Sequence, residues 1–394
     1  MTVIKTLGER TRGRRRATNY VREEEQHPAG PPAIGRPPGR PHPEMTGLLV
    51  GYGSIGRRHL ANLHAAGVSD WAVVHSGQGT LPVEPPCPIR IYSDLLEALG
   101  EASPAFAVIA NPTSLHVPSA LACVEAGCDL LLEKPVSHTL AGLDELAATA
   151  AALDVRVLVG FQFRFNPALI RIRDLLSSGI IGAPLHARVI WAEHLPSWHP
   201  WEDWRITYAA RADLGGGVHH TICHPLDYLR MLFGDPVSLT ASLIFDGPLS
   251  LPVAEAADVT LRFPGALSAQ IHLDYWCRPP MHRMEMVCSD GKIEWDYMAG
   301  SLCVWNADGE VLEVGATPGV NERDGLFVSE TRHFLGVVAR QQRPACTLAD
   351  GIAVVRICEA IDRSAASGRM VSLEQPSVLQ MSPADPGREE VGRR

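Results

Sequence analysis

Residues 48–67, LLVGYGSIGRRHLANLHAAG, place three glycines within six positions, directly after an apolar run and directly before an amphipathic stretch. Gly51, Gly53 and Gly56 have the spacing G-x-G-x-x-G. The first glycine allows a tight turn out of a strand, the second lets a diphosphate approach the main chain, and the third lets helix and strand pack closely. The following helix N-terminus offers free N–H groups to an anion. The stretch predicts a dinucleotide-binding turn, with an ordinary glycine-rich turn as the alternative.

The whole chain predicts an α/β protein with two domains. Short apolar runs at 48–50, 71–74, 106–110, 129–133 and 155–161 alternate with helix candidates, which is typical of a doubly wound parallel sheet. Later segments alternate apolar and polar residues, which favours an open, mostly antiparallel sheet. We expect a disordered extension at 1–44, a Rossmann dinucleotide-binding domain at 45–165, a substrate-binding and oligomerisation α/β domain at 166–374 and a flexible tail at 375–394.

Several helix ends are predicted by their capping residues. Ser93 can cap a helix over DLLEALG, and Thr113 or Ser114 can cap the next one. Two further helices are expected near 327–340 and 348–366, where they close the second domain.

Composition excludes several classes of function. The 394 residues carry a formal net charge of −9, which divides into about +4 on residues 1–44 and about −13 on the rest. An acidic body does not favour a nucleic-acid partner.

The sequence has no apolar run of about 18 residues and no secretory signal, so we expect a cytoplasmic protein without a membrane span. Nine cysteines without a C-x-x-C spacing predict reduced thiols. Because Met45 opens the first strand, it is a candidate natural start that would make residues 1–44 an upstream extension, and the sequence leaves open whether they belong to the natural protein.

The end of the second expected strand bears on the choice of coenzyme. Where an Asp or Glu would bind the 2′-hydroxyl of NAD, the chain has His75 and Ser76. A 2′-phosphate is not repelled there, and Arg57 or Arg58 in the first helical turn could approach it. The sequence predicts NAD or NADP, with a slight preference for NADP.

Three further motifs follow the glycine turn in a fixed order: IANPTSLH at 109–116, LLLEKP at 130–135 and GGGVHHTICHPLD at 215–227. Together with the turn they resemble the Gfo/Idh/MocA family of NAD(P)-dependent oxidoreductases, and the resemblance extends from 45 to 373. It implies hydride transfer between nicotinamide and a secondary alcohol or ketone of a sugar, cyclitol or derivative. It also implies a homo-oligomer, a dimer or tetramer, assembled through the open sheet. The coenzyme-binding residues that it implies are Gly51, Tyr52, Gly53, Ser54, Ile55, Gly56, His75, Ser76, Asn111, Pro112, Thr113, His116, Glu133 and Lys134.

Lys134 and His224 are the candidate catalytic residues. Taking a hydride from a carbinol carbon requires removal of the hydroxyl proton as well. Lys134 follows a central strand, where parallel sheets bind ligands, and its ammonium can polarise the substrate oxygen. Burial there is expected to lower its pKa. His224 opens the H-x-x-D of the third motif and is the expected proton carrier. Members of the family often carry an Asp three positions before that histidine, whereas this chain has Thr221.

The substrate pocket is expected to include residues from the second domain and its aromatic loop, WAEHLPSWHPWEDWRITYAAR. For the tryptophans of this loop, attachment of the loop to the domain is an equally weighted alternative. The candidate substrate-binding residues are Arg164, Trp201, Arg205, Tyr208, Thr221 and Asp227.

Two other interpretations stay open at this point. His220 and His224 are spaced i, i+4, as in a zinc-binding helix, but a third ligand with its own spacing is lacking, so no metal is assigned. Thr221 also leaves room for a non-catalytic dinucleotide or sugar sensor. A redox-assisted glycoside hydrolase, which uses its coenzyme transiently, is the other enzyme class to consider.

Overall fold

The structure is a computed structural model that describes residues 45–77 and 84–373. The expected extension at 1–44 and the expected tail at 375–394 lie outside these residues. Within the described part, no helix is both long and apolar enough to cross a membrane. All nine cysteines are free thiols in the structure, and most of them are buried.

The first half of the chain forms a six-stranded parallel sheet in the order β3-β2-β1-β4-β5-β6, which confirms the doubly wound fold. The order reverses between β1 and β4, where parallel sheets open a crevice at their carboxyl ends. The apolar runs predict five of these strands. The sixth, β3, is only three residues long and has no buried residue, so no periodicity marks it. The strands are β1 (Thr46–Val50), β2 (Asp70–Val74), β3 (Arg90–Tyr92), β4 (Phe106–Ile109), β5 (Asp129–Leu132) and β6 (Val157–Val159).

Helices cover this sheet and bury its apolar runs. Leu48 and Leu49 are fully buried, and each such side chain contributes about 1.5–3 kcal/mol to folding. The cap expected at Ser93 is wrong by one position, since the Asp94 carboxylate accepts the Glu97 N–H. A 3₁₀ turn over Thr113–Leu115 precedes the next helix, which therefore starts later than its expected cap. The helices of this half are α1 (Ser54–Ala65), α2 (Leu95–Ala102), α3 (His116–Glu125) and α4 (Leu143–Ala152). The next helix, α5 (Pro167–Ser178), contacts the 3₁₀ turn over Gln162–Phe165.

A nine-stranded sheet in the order β14-β13-β12-β11-β7-β10-β9-β8-β15 dominates the second half. Every neighbouring pair is antiparallel except β7 and β10, which confirms a mostly antiparallel sheet. Buried and exposed residues alternate along β11, because one face of the sheet lies against the core. The strands are β7 (Pro184–Ala192), β8 (Ser238–Ile244), β9 (Ala256–Arg262), β10 (Ser268–Asp274), β11 (Met281–Cys288), β12 (Gly291–Asp296), β13 (Ser301–Asn306), β14 (Val311–Ala316) and β15 (Val371–Ser372).

Four further helices lie in the second half of the chain, and one of them joins the two sheets. The longest of them, α9, begins at a capping box formed by Thr347 and Asp350 and contacts both β6 and β8. The α8 helix contacts α1 beside the glycine turn. Both closing helices lie close to their expected positions. The helices are α6 (Val218–Thr221), α7 (His224–Phe233), α8 (Arg323–Val338) and α9 (Leu348–Ser367).

Candidate functional site

The glycine turn has the shape that a diphosphate requires. Gly51 has φ +98°, and a Cβ there would lie 2.5 Å from the Asn111 nitrogen. A Cβ on Gly56 would collide with the Gly51 carbonyl oxygen. At Gly53, by contrast, a Cβ would meet no described atom within 4 Å. The first and third glycines are therefore fixed by packing, while the second borders open space at the start of α1, as a nucleotide-binding turn needs.

The side chains near the end of β2 carry no carboxylate at the position expected for a ribose ligand. His75 follows β2, and its ring lies 6.2 Å from that of Tyr52. The Arg57 guanidinium lies 4.7 Å from the centre of the same Tyr52 ring. Arg58 points away, because its Nε lies 3.2 Å from the Asp324 carboxylate on α8. Of the two candidate arginines, Arg57 is the one that lies over the Tyr52 ring.

The loop after β4 is tied to the segment after β5 by one imidazole. His116 Nδ1 lies 2.8 Å from the Pro135 carbonyl oxygen, and its Nε2 lies 2.9 Å from the Asn111 carbonyl oxygen. The Asn111 amide donates to Ser119 Oγ. Thr113 is buried in the 3₁₀ turn between them. The predicted coenzyme residues of this loop therefore form one packed unit beside the glycine turn.

Glu133 holds the main chain that carries Lys134. Its Oε1 lies 2.7 Å from His59 Nε2, and its Oε2 accepts the Lys134 N–H at 3.1 Å. Burial alone raises the pKa of this carboxyl, but its contacts with His59 and Lys134 hold the pKa below its usual value. Sequence analysis missed His59, although a histidine on the buried face of α1, next to Leu60, is a signal for a buried polar contact.

Lys134 lies at the carboxyl edge of the parallel sheet and reaches into the second domain. Its Nζ donates to the Thr221 carbonyl oxygen at 2.8 Å. The expected fall in its pKa is wrong in sign. Burial does lower the pKa of this ammonium, but interactions with Tyr208, Cys223 and Glu133 outweigh burial and raise the pKa above its usual value. Because a main-chain oxygen receives the ammonium, this contact does not need a carboxylate at position 221.

His224 begins α7 close enough to Lys134 for the two charges to interact. The ring is 4% exposed and stacks on Trp191 with ring centres 5.4 Å apart. Burial, followed by the charges of Lys134 and Arg323, lowers the imidazole pKa well below its usual value. The imidazole is therefore neutral at pH 7, which is the form with a free lone pair, and the same environment makes it a weak base. Arg323, at the start of α8, is a site residue that no motif indicates.

Arg164 and Asp227, both expected to contact substrate, are paired with each other. Arg164 Nη2 lies 2.7 Å from Asp227 Oδ1, and Arg164 Nε donates to the same carboxylate. A second carboxylate, of Asp350, lies 3.3 Å from Arg164 Nη1. The carboxylate of Asp227 is 1% exposed. These contacts indicate that the pair holds together the 3₁₀ turn over residues 162–165, α7 and α9.

We expect Asp227→Asn to lower the free energy of unfolding by about 3 kcal/mol, because it leaves the buried charge of Arg164 without its main partner. Urea denaturation measures this change. The matched control is Asp235→Asn, which removes an exposed partner of Arg230 and should cost less than about 0.5 kcal/mol. An unchanged unfolding free energy with a raised KM would instead assign Asp227 to the substrate.

The aromatic loop divides into a buried and an exposed part. Tyr208 is half-buried. Burial raises the pKa of its phenol, and the nearby positive charge of Lys134 partly offsets this rise. Trp201 is exposed and stacks on His199. Arg205 pairs with Asp203 and lies over the Trp204 ring. The structure thus brings Tyr208 to Lys134, while Trp201 and Arg205 make these contacts within the loop.

The i, i+4 relation expected for His220 and His224 does not exist in the fold. The α6 helix ends at Thr221, and His224 starts α7, so the two imidazoles lie on different helices. The third motif instead places His219 and His220 beside Asp362 of α9. Sequence spacing could not indicate a carboxylate so far along the chain.

The fold and the site define a Rossmann-fold oxidoreductase with a second α/β domain. A family model described as "Oxidoreductase family, NAD-binding Rossmann fold" matches residues 45–161. The model described as "GFO/IDH/MocA C-terminal domain" matches residues 169–294. The chain therefore belongs to the Gfo/Idh/MocA family of oxidoreductases, and the expected resemblance is confirmed.

Several relatives are sugar or cyclitol enzymes by name. The chain is 25% identical over 285 residues to 1,5-anhydro-D-fructose reductase of Ensifer adhaerens. This match covers 71% of this chain and 82% of that protein. It is also 32% identical over 143 residues to inositol 2-dehydrogenase 1 of Saccharopolyspora erythraea. This match covers 35% of this chain and 42% of that protein. A structure of levoglucosan dehydrogenase with NADH and levoglucosan matches with a TM-score of 0.72 at 20% identity, over 84% of this chain and 100% of the other, and shows a shared fold.

Proposed function

We propose that this oxidoreductase transfers a hydride between the nicotinamide of NAD or NADP and a secondary alcohol or ketone of a sugar, cyclitol or derivative. The observation that carries the proposal is the partly buried Lys134 ammonium, which donates to the Thr221 carbonyl oxygen at 2.8 Å at the carboxyl edge of the parallel sheet, with His224 close enough for their electrostatic interaction. The same edge carries the open turn at Gly53.

The bound dinucleotide would supply the hydride acceptor or donor of the reaction. The Lys134 ammonium, held by the Thr221 carbonyl, donates a hydrogen bond to the substrate oxygen and stabilises negative charge on it. During alcohol oxidation, His224 accepts the hydroxyl proton, and in the reverse direction it returns that proton. Glu133 fixes the Lys134 main chain, and we place Asn111, Pro112, Thr113 and His116 along the nicotinamide half of the coenzyme.

For the adenine half of the coenzyme, we propose contacts with Tyr52, Ser54, Ile55, His75 and Ser76. Arg57 beside the Tyr52 ring is the group that favours a 2′-phosphate, so NADP keeps a slight preference. The named relatives that act on anhydro sugars and inositol support a polyol-like substrate. Tyr208 is the aromatic-loop residue best placed to contact it, with Trp201 and Arg205 at the entrance.

We also propose a cytoplasmic homo-oligomer, a dimer or tetramer, that assembles through the nine-stranded sheet. The face of β8, β9 and β10 that carries Thr240, Asp258, Thr260, Gln270 and His272 forms an open surface, and an open sheet face of this kind favours a second copy of the chain as partner.

An absorbance assay at 340 nm with full-length protein tests the proposed reaction. We expect at least one member of a panel of aldoses, anhydro sugars and cyclitols to reduce NAD⁺ or NADP⁺, with a higher kcat/KM for NADP⁺. Glycoside cleavage without net coenzyme reduction would contradict the proposal in favour of a hydrolase. Coenzyme binding without turnover of any member would contradict it in favour of a sensor.

A further inference from the structure

A compact group of two imidazoles and one carboxylate lies between α6 and α9. His219 Nε2 is 3.1 Å from Asp362 Oδ1, and His220 Nε2 is 3.8 Å from Asp362 Oδ2. One ligand atom from each of the three residues lies within 4.8 Å of the other two. We propose that His219, His220 and Asp362 bind one divalent transition-metal ion, for which Zn²⁺ fits best.

The distances match a tetrahedral ion. Zinc binds histidine nitrogen and carboxylate oxygen at about 2.0–2.1 Å, so neighbouring tetrahedral ligands lie about 3.3 Å apart. The two distances to Asp362, 3.1 Å to Oδ1 and 3.8 Å to Oδ2, lie on either side of that value. Because they end on different carboxylate oxygens, and one ligand atom of each residue lies within 4.8 Å of the other two, side-chain rotations are needed to bring two imidazole nitrogens and one carboxylate oxygen onto one ion. Two imidazoles and one carboxylate are also ligand types that zinc accepts.

Both imidazoles are buried with nitrogen atoms that lack a hydrogen bond. His219 is 4% exposed and His220 is 7% exposed. Within the described residues, neither ring nitrogen of His219 makes a hydrogen bond, and neither does His220 Nδ1. The 3.1 Å approach of His219 to Asp362 thus lacks hydrogen-bond alignment. A buried polar atom without a partner is costly, and a shared ion would satisfy these nitrogens.

The position of the group gives an ion both an entry path and a structural effect. The Asp362 side chain is about half exposed, so an ion can reach the imidazoles from solvent. His219 and His220 directly precede Thr221, whose carbonyl holds Lys134. An ion that links α6 to α9 would fix the turn that carries this carbonyl. The inference concerns metal binding alone and is independent of the proposed reaction.

A second histidine with two carboxylates provides a matched control. His272 Nδ1 lies 2.7 Å from Asp258, and its Nε2 lies 3.1 Å from Asp274. Because its two nitrogens point to opposite sides of the ring, no single ion can contact all three residues. This cluster has a similar composition without the geometry of a metal site.

Zinc titration of chelator-stripped, full-length protein tests the inference. Competition with a chromophoric chelator should give one Zn²⁺ per chain and a Kd below about 1 µM, and bound Zn²⁺ should raise the Tm. Asp362→Asn and His220→Ala should each weaken binding about tenfold or more, whereas His272→Ala should leave it unchanged. Far-UV circular dichroism of each variant checks folding.

Bound Co²⁺ gives a second readout on the wild type, which does not depend on how any variant folds. An intense visible absorption, as tetrahedral Co²⁺ shows, is expected at one equivalent. Failure of the wild type to bind Zn²⁺ at one equivalent would overturn the inference. Equal affinity in the folded Asp362→Asn variant, or a weak octahedral Co²⁺ spectrum, would overturn it as well.

Discussion

Lys134→Met should lower kcat by about 100-fold or more, which corresponds to a loss of about 2.7 kcal/mol of transition-state stabilisation. Methionine keeps most of the buried side-chain volume but removes the ammonium that we place on the substrate oxygen. The affinity for NADH should stay within about threefold of the wild type, because the diphosphate contacts lie at the glycine turn. Steady-state kinetics and an NADH titration on the same preparation separate the two quantities.

The matched control is Lys292→Met. Lys292 lies on β12, pairs with Glu294 and is about half exposed, so its loss should leave kcat unchanged. A lowered melting temperature of Lys134→Met alone would be no evidence for catalysis, since the Thr221 carbonyl loses a partner. Unchanged turnover in folded Lys134→Met would remove this residue from the reaction.

Gly53→Val should weaken dinucleotide binding by about tenfold or more, or at least about 1.4 kcal/mol. A Cβ at this position meets no described atom within 4 Å in the protein itself, so the fold has room for the side chain. A diphosphate that lies against the main chain would collide with it. Binding should therefore fall while the melting temperature stays within about 1 °C of the wild type.

Gly100→Val makes the same change on the exposed side of α2, where a Cβ also meets open space. This control should keep full affinity for NADH and NADPH. Gly56→Val would be uninformative, because its side chain would collide with the Gly51 carbonyl oxygen and disturb the fold. Equal NADH affinity in the Gly53 and Gly100 variants would contradict a diphosphate at the turn.

Most of the fold could be predicted from the sequence, because the local periodicity of apolar residues indicates the strands and helices. Apolar runs marked five of the six parallel strands, and the glycine spacing marked the turn after β1. Strand β3 could not be predicted, because none of its three residues is buried and no apolar run marks it. The helix cap was predicted at Ser93 and lies at Asp94. Both residue types can accept a hydrogen bond from a backbone N–H, and only the backbone path decides between them.

Long-range contacts limited what could be predicted of the site. The sign of the Lys134 pKa shift depends on Tyr208 and Cys223, which no spacing rule connects to it. Arg164 and Asp227 each looked available to substrate in the sequence, but the fold brings them together. Such pairs become visible only when the two domains are assembled.

The central claim is that a dinucleotide lies at Gly53 with its nicotinamide end directed toward Lys134. A crystal structure of the full chain with bound NADH tests this claim most directly. We predict that the diphosphate lies against the Gly53 main chain at the start of α1, and that the nicotinamide lies in the same pocket as Lys134 and His224. NADH bound elsewhere, or a nicotinamide directed away from both side chains, would contradict the account.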